Sequence, residues 1–279
     1  MRILVLLVLA AVSIFGYVAL PGESLDTPIA KGSQFTYEQL LKLVFPDLET
    51  QSDDPKSGMA SESVAIREFD GAGQAAQKET EVPVSSVNTV PADLGPGKAL
   101  LSFVTEIQGT DCRSLALFDL AGTPRLLDVV QVPAFPDDPG GFSRKVRLND
   151  KTSALIFDAY HHNSDQGYQS RAIVFVHGER IKLISQVALL RYNGGSLGGS
   201  FDETATITTL PDPGREFAKV VIRATLKFLA DPPDSEHQPR QRASARIYTS
   251  TLRWDAAKAE FTEPADGLAP LDKFNKDKY

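Results

Sequence analysis

The sequence predicts a mainly β fold: about three consecutive four-stranded antiparallel units, with one short N-terminal helix and an N-terminal apolar segment. From Lys98 onward, Val, Ile, Leu, Phe and Thr concentrate in short runs bounded by Gly, Pro, Asn and Asp, a pattern typical of strands and tight turns. Similar runs recur at a spacing of about sixty residues, as in stacked or radial β repeats. The units could form a partial propeller, an open sheet or a sandwich, and the sequence does not choose among these.

One segment carries both a helical and a strand-like pattern. Between Phe217 and Leu229, cations stand at every fourth position, as they would on one face of a helix: Lys219, Arg223 and Lys227. Apolar residues in the same segment alternate at every second position from Ala218 to Phe228. Since residues 220–222 are all β-branched, the segment is predicted to be a strand whose cations share one face.

The repeat is clearest in two hairpins of similar composition. One runs from Leu115 to Val129 and the other from Ala172 to Val187, and each turns at a glycine. A third unit would combine residues 218–229, 242–254 and 259–262. If the units are equivalent, an aromatic residue of each should point inward at the same place, namely Phe118, Phe175 and a residue near Tyr248.

Two short motifs in the second half of the chain have the form strand–turn–strand. One runs from Leu252 through Trp254 and Asp255 to Phe261, and the other is the turn Phe175–Glu179. In these motifs the last two thirds of the chain resemble exported bacterial propeller-like repeat proteins, many of them of unknown function. The chain departs from that group in two ways, because three units are fewer than the roughly four to eight blades of a closed propeller and the complete acidic calcium loop is absent.

The N-terminus predicts export from the cytoplasm. Residues 1–20 contain an apolar run, Ile3 to Leu20, that suits either a signal peptide or a membrane anchor. Tyr17 stands where signal peptidase requires a small residue, so the obvious cleavage site after Ala19 is a poor one. An uncleaved transmembrane helix is therefore an alternative to a cleaved signal peptide. Arg2 on the near side of the run predicts that the N-terminus stays in the cytoplasm and that the rest is extracytoplasmic, either periplasmic or secreted.

Composition divides the rest of the chain into three parts. Residues 21–97 are predicted to be a linker, a short helix and an acidic irregular region; residues 98–265 are the antiparallel β domain; residues 266–279 are a C-terminal tail. The helix follows from a capping box at Thr36 and Gln39. Edge strands are expected in two places in the acidic region, near Ser63 to Phe69 and near Val82 to Val90.

Charge and cysteine usage exclude several functions. Between Asp47 and Asp93 lie ten acidic residues and three cations, so this stretch carries the whole net charge of −7. An acidic chain of this kind is not expected to bind nucleic acid, which requires clustered Lys and Arg. Cys112 is the single cysteine, which excludes an intramolecular disulfide and a cysteine-rich metal cage. No cofactor is predicted.

Two motifs suggest chemistry. Residues 194–198 spell G-x-S-x-G around Ser196, which resembles the nucleophile elbow of serine hydrolases, but the following residues have strand character where that motif requires a helix. A hydrolase would recruit a histidine such as His161 or His162 and an acid such as Asp165. Asn163 and Asp165 also offer oxygen ligands of the kind that calcium uses, without the first acid of a complete calcium loop.

The cations predict a binding surface. If the strand 218–228 pairs with the strand that begins near Arg240, five or six cations would lie on one sheet face; the candidate binding residues are Lys219, Arg223, Lys227, Arg242 and Arg246. Acidic residues of the chain itself, either those between Asp47 and Asp93 or the pair Asp202 and Glu203, could instead cover this face. The leading functional hypothesis is a noncatalytic extracytoplasmic module that binds a protein, a glycan, an anionic ligand or another envelope component, with the Ser196 hydrolase as the alternative.

Overall fold

The computed structural model describes residues 22–69, 78–107, 110–135, 138–163, 166–195, 199–229 and 243–277. Over these residues the chain is mainly antiparallel β-sheet with two short helices, which confirms the predicted fold class at this level. A six-stranded sheet and an eight-stranded ladder each follow the chain in sequence order, and neither closes on itself. The apolar run Ile3 to Leu20 lies outside the described residues. None of the helices within the described ranges has the length and apolarity that a membrane crossing requires.

The first layer is the six-stranded sheet. Its strands are β1 Glu49–Thr50, β2 Gly58–Glu62, β3 Lys78–Thr89, β4 Lys98–Ile107, β5 Thr110–Asp119 and β6 Arg125–Gln131. Leu101 and Phe103 of β4 face the N-terminal helix, whereas Leu100 of the same strand faces the second layer. Burial on both faces explains why seven consecutive residues of β5 are buried, since a sheet covered on both sides has no solvated face.

The short helix α1, Tyr37–Leu41, forms where the capping box predicts it. It covers the side of the first layer that faces away from the second layer. The Thr36 hydroxyl accepts from the Gln39 N–H at 3.3 Å, and the Gln39 side chain accepts from the Thr36 N–H at 3.0 Å. Phe45, just after the helix, meets Phe103 of β4 edge-on at 5.6 Å between ring centroids. These contacts attach the N-terminal region to the first layer.

The eight-stranded ladder forms the second and third layers. The second layer contains β7 Gly141–Arg147, β8 Ser153–Asn163, β9 Gln166–His177 and β10 Arg180–Gly195; the third contains β11 Gly199–Leu210, β12 Lys219–Phe228, β13 Ser244–Asp255 and β14 Glu260–Thr262. Strands β10 and β11 pair only through residues 193–195 and 199–201. The two halves therefore fold over each other, and Phe175 of β9 packs edge-on against Trp254 of β13. Helix α2, Ala269–Lys276, closes one end of this core through Leu271 and Phe274.

Side chains replace the strand-to-strand hydrogen bonds where β10 and β11 diverge. Arg171 of β9 donates to the carbonyl of Ala205 on β11, and Arg144 of β7 donates to the carbonyl of Ile207 at 3.2 Å. In the other direction, the Glu203 carboxylate of β11 accepts from a backbone N–H of β10 at 2.8 Å. These bonds satisfy backbone groups that would otherwise remain an open strand edge inside the protein.

Glu203 is an unusual member of this set because its side chain is completely buried. One carboxylate oxygen, Oε2, accepts from the N–H of Leu190 and from the side-chain amide of Asn275 on α2 at 3.1 Å. Burial raises the pKa of Glu203 to about 7, against the lowering effect of these two hydrogen bonds, and the nearby charges of Asp202 and Asp272 add to the rise. The acid thus changes its charge near neutral pH.

The first and second layers are joined by a buried carboxylate, that of Asp128 on β6. Arg67 donates to it through Nε at 2.9 Å, Arg180 of β10 donates at 3.0 Å, and the N–H of Ile181 donates at 2.7 Å. Burial opposes ionisation of Asp128, but these hydrogen bonds and the two positive charges outweigh it and hold its pKa below the usual range. The network links β6, β10 and the segment that carries Arg67.

The structure differs from the prediction at the domain limits. Strand β3 pairs with β4, so the expected boundary at residue 97 falls inside one sheet and residues 21–97 contribute three of its strands. Residues 63–69 form no strand, and only Arg67 makes a bridge, parallel to Val130. The tail 266–279 contains α2. The short or polar elements in these regions carry little hydrophobic periodicity. Whether they form a strand or a helix depends on contacts with neighbouring elements.

The structure also differs from the prediction that one aromatic residue of each unit points inward at the same place. Phe118 and Phe175 are both fully buried, and Tyr248 is half-buried against the core of the third layer. However, Phe118 packs on the α1 side of the first layer, whereas Phe175 faces the third layer. The two rings point in opposite directions along the stack, so the hairpins do not correspond residue by residue as the composition had indicated.

We expect Asp128→Ala to destabilise the protein strongly. The substitution removes the carboxylate that accepts from Arg67, whose side chain is 23% exposed, and from the buried Ile181 N–H. Breaking a buried ion pair by removing one partner costs about 3–5 kcal/mol. Urea denaturation followed by circular dichroism measures the loss. Asp119→Ala is the matched control, because Arg125 in the Asp119–Arg125 pair is 64% exposed and a surface ion pair contributes little to stability; equal losses for the two variants would contradict this account.

We expect Glu203→Gln to remove part of the pH dependence of stability. Because the pKa is raised above 4.5, the folded state holds a proton that the unfolded state has already released. That stabilisation is complete below about pH 4.5 and is lost as the pH rises through about 7. The free energy of unfolding should therefore fall by up to roughly 3 kcal/mol more in the native protein than in the variant between pH 5 and pH 8.

Urea denaturation at a series of pH values measures this difference. Glu260→Gln is the control, because that side chain is 52% exposed and has only a long contact to Lys258. A Glu203→Gln variant whose stability follows the native pH profile, or a Glu260→Gln variant that flattens it equally, would contradict the assignment.

Candidate binding face on the third layer

The predicted cations of β12 lie on the outer surface of the third layer. On the inner side of the strand, residues 220, 222, 224 and 226 have no exposed area. On the outer side, Arg223 and Lys227 are exposed and Lys219 is partly exposed. This arrangement is the one that the period-two pattern predicts, since successive side chains of a strand point to opposite faces.

The neighbouring strands extend this surface with threonine. In the ladder Arg223 lies directly between Thr206 of β11 and Thr249 of β13, and Val221 lies between Thr208 and Thr251. Directly opposite residues share a face. We call this surface the outer face; it consists of Thr204, Thr206, Thr208, Leu210, Lys219, Val221, Arg223, Thr225, Lys227, Ile247, Thr249 and Thr251.

Acidic residues accompany the cations only at the two ends of the outer face. Lys227 lies across the ladder from Asp202. Burial raises the pKa of Asp202, and the charges of Arg191 and Lys227 counteract that rise. Near the opposite end, Arg253 lies 3.7 Å from Asp212. Arg223, in the middle, makes no ion pair with any residue that the structure describes.

Arg246 does not belong to this face, which corrects the sequence-based prediction. It lies opposite Leu226 in the β12–β13 ladder, so it projects from the other side of the sheet. There its guanidinium lies over the ring of Phe228, 5.4 Å from the centroid. The alignment assumed from the sequence is off by one residue, and such a shift moves a side chain to the opposite face. Arg242, the other candidate on this strand, lies outside the described residues.

Several of the acidic residues proposed as an internal cover have partners elsewhere. Asp93 bonds to Lys145 of the second layer at 2.8 Å, and Asp47 accepts from the N–H groups of Ser61 and Glu62 in the first layer. Glu203 points into the core. Among the described acids of these two sets, Asp202 lies across from Lys227 at one end of the outer face, and Arg223 is exposed.

The remaining sequence candidates form no complete site in the described residues. Ser196 and Asp165 lie outside them. His161 stacks on Tyr168 at 5.6 Å between ring centroids, while His162 and Asn163 are exposed at the end of β8. Over the described ranges no group of three His, Cys, Asp or Glu residues is placed to hold a metal ion.

An open depression of about 350 Å³ adjoins the outer face at the β11–β12 loop. Its charged lining combines Arg147 and Arg215 with the carboxylates of Asp150, Asp212 and Glu216. Arg147 lies 3.5 Å from Asp150 and Arg215 donates to the carbonyl of Trp254, so the cations there are already engaged. With two arginines against three carboxylates in its lining, the depression does not favour an anionic ligand.

Sequence reasoning missed the threonines and two exposed apolar residues of the outer face. Leu210 is 50% exposed and Ile247 is 52% exposed, unusual values for large hydrophobic side chains in the described part of this protein. The run Thr204, Thr206 and Thr208 alternates with buried residues, and that alternation could have revealed a solvated threonine row. Which strand lies beside it could not be read from the same pattern.

We expect Thr206→Glu to stabilise the fold. The new carboxylate would lie directly across the ladder from Arg223, and an opposite-charge pair in that position contributes roughly 0.2–1 kcal/mol. Thr208→Glu is the matched control, because it places the same residue opposite Val221. Urea denaturation at low and high salt compares the two. If the two variants were equally stable at low salt, Arg223 would not occupy the position described.

Comparison with known proteins gives no further guide to this surface. Family models, curated proteins and solved structures were each searched, and none matches the chain. The function therefore has to be argued from the residues of the chain itself.

Proposed function

We propose that this protein is a noncatalytic extracytoplasmic β module that binds an anionic envelope component through the outer face. The observation that carries the proposal is Arg223: it is exposed at the centre of the face, between Lys219 and Lys227, without an ion pair among the described residues. An exposed cation on a sheet that has no acidic partner within the described chain favours an anionic ligand.

The cations of the outer face influence a bound ligand more than the net charge of the chain does. At −7 the whole molecule repels anions at long range, but at physiological ionic strength charges are screened beyond about 8 Å. A ligand on the outer face would therefore be influenced mainly by the cations beneath it. Among the described acids of the acidic stretch, Asp47 is bonded within the first layer and Asp93 to Lys145 of the second.

The hydrogen bonds that the buried polar groups make between elements of the fold support a noncatalytic role. Asp128 and its two arginines connect the first two layers, and Arg171 bridges Asp158 to the third layer through the Ala205 carbonyl. Glu203 holds α2 through Asn275. Each of these groups has a structural partner, so each is engaged in holding the layers together.

The extracytoplasmic location rests on the sequence. The apolar run Ile3 to Leu20, with Arg2 before it and acidic residues after it, supports export either with cleavage or with retention as an anchor. The resemblance to exported propeller-like repeat proteins agrees with this location, and the proposal of an envelope ligand depends on it.

Retention on immobilised heparin, a polysulfated glycan, tests the proposal with the full-length protein. We expect retention at 50 mM salt and release as the salt concentration rises. The double variant Lys219→Glu with Arg223→Glu should pass through the column, because it reverses two of the three cations on β12. Both positions are on the solvated side of the strand, so the substitutions should leave the fold intact.

A control variant carries the same change in net charge at a distance from the face. Lys31→Glu with Lys56→Glu alters two exposed lysines of the N-terminal region and first layer. This variant should still be retained, although slightly more weakly. If both double variants lose retention equally, the effect is one of net charge and the outer face is not the binding site; if the native protein is not retained, the proposal fails.

A further inference from the structure

We infer that the ligand of the outer face is an extended acidic polysaccharide that lies along β12. This inference rests on the proposed function and adds the class and the orientation of the ligand. It follows from the spacing of the three cations and from the hydroxyl groups that flank the centre of the row.

The spacing sets the length of the ligand. Lys219, Arg223 and Lys227 stand at every fourth residue of one strand. With a rise of about 3.3 Å per residue, neighbouring cations are about 13 Å apart and the row is about 26 Å long. Each interval exceeds the screening length of about 8 Å at physiological salt, so the cations act as three separate contacts and not as one focused charge.

Separate contacts favour a polymer over a small anion. A small anion reaches only one of the three cations, and a single exposed ion pair improves binding by about fivefold or less. A chain long enough to span the row makes its second and third contacts within the same complex, where the effective concentration of the next charge is high. Affinity should therefore depend on ligand length.

The chemistry between the cations favours a carbohydrate. Val221 and Thr225 fill the intervals on β12, and threonines of both β11 and β13 flank Val221 and Arg223, so hydroxyl groups accompany the central part of the row. A polysaccharide with charges at wide intervals presents hydroxyls between them that can pair with these threonines. Nucleic acid carries a phosphate every 3.4 Å along each strand and requires densely clustered cations, which this row does not provide.

The ends of the row define where the contact stops. Asp202 lies across from Lys227. At the other end, Asp212 lies 3.7 Å from Arg253, which is on the outer side of β13 near Lys219. Carboxylates at both ends repel a polyanion that continues beyond them. The most favourable stretch is therefore the one centred on Arg223, and a ligand that spans Lys219 to Lys227 should reach the full affinity.

A length series of hyaluronan oligosaccharides, with one carboxylate in each disaccharide, tests the inference. End-labelled oligomers from the disaccharide upward are titrated with full-length protein and followed by fluorescence anisotropy. We expect no measurable binding of the disaccharide, a rise of at least tenfold with length, and a plateau once the oligomer spans about 26 Å. An uncharged glucan oligomer of equal length should not bind.

Two single variants make the readout specific. Lys219→Ala removes an end of the row, so the plateau should be reached with an oligomer about half as long. Arg223→Ala removes the centre, so the length at the plateau should stay the same while the plateau affinity falls. A disaccharide that binds as tightly as a long oligomer would overturn the extended-ligand inference and leave the proposed function standing.

Other polyanions complete the test. If single-stranded DNA of matched length, or vesicles containing a fifth of anionic lipid, bind more tightly than hyaluronan and lose that binding in Arg223→Ala, the polysaccharide assignment is wrong although the outer face is still the site. If neither hyaluronan nor immobilised heparin is bound, the proposed function fails as well.

Discussion

The architecture of this protein depends on the separation of β10 and β11 after a very short pairing. Only residues 193–195 and 199–201 continue the ladder between them. A ladder of eight long strands cannot bury both of its faces while it remains open, and folding over at this hairpin lets one half cover the other. The fold brings Phe175, Ile222 and Trp254 into one core and leaves the other side of β11, β12 and β13 in solvent. The outer face is a direct consequence of this separation.

Folding over creates unpaired backbone groups, and charged side chains satisfy them. Arg171 and Arg144 reach carbonyls of β11, and Glu203 reaches an N–H of β10. A charge placed in this environment is costly unless it is bonded. Arg171 is bonded to Asp158 at 2.6 Å, whereas Glu203 has no cation beside it among the described residues and its pKa rises to about 7. The separation of β10 and β11 therefore defines the third layer and also buries a carboxylate whose pKa is raised to about 7.

The two interfaces between layers use different chemistry. Asp128, at the contact of the first and second layers, is surrounded by two arginines and a backbone N–H, so it stays ionised. The contact of the second and third layers combines an aromatic cluster around Trp254 with the bonds across the separation of β10 and β11. The charged side chains at both interfaces are bonded to other groups of the protein. The cations of β12 differ from them, because they lie on the solvated side of the strand and Arg223 in particular has no acidic partner among the described residues. That contrast is the physical basis for assigning them to a ligand.

The sequence by itself determined the features that depend on local pattern. Alternation along residues 218–228 predicted which side of β12 is buried, and the capping box at Thr36 predicted α1, because both patterns are complete within a few residues. The tertiary structure alone decided how strands align and which face they share. Arg246 was assigned to the outer face from the sequence, yet its partner is Leu226, since register is set by contacts between strands and a shift of one residue reverses the face. The burial of Glu203 and the threonine neighbours of Arg223 were likewise decided by the fold, because each depends on residues distant in the chain.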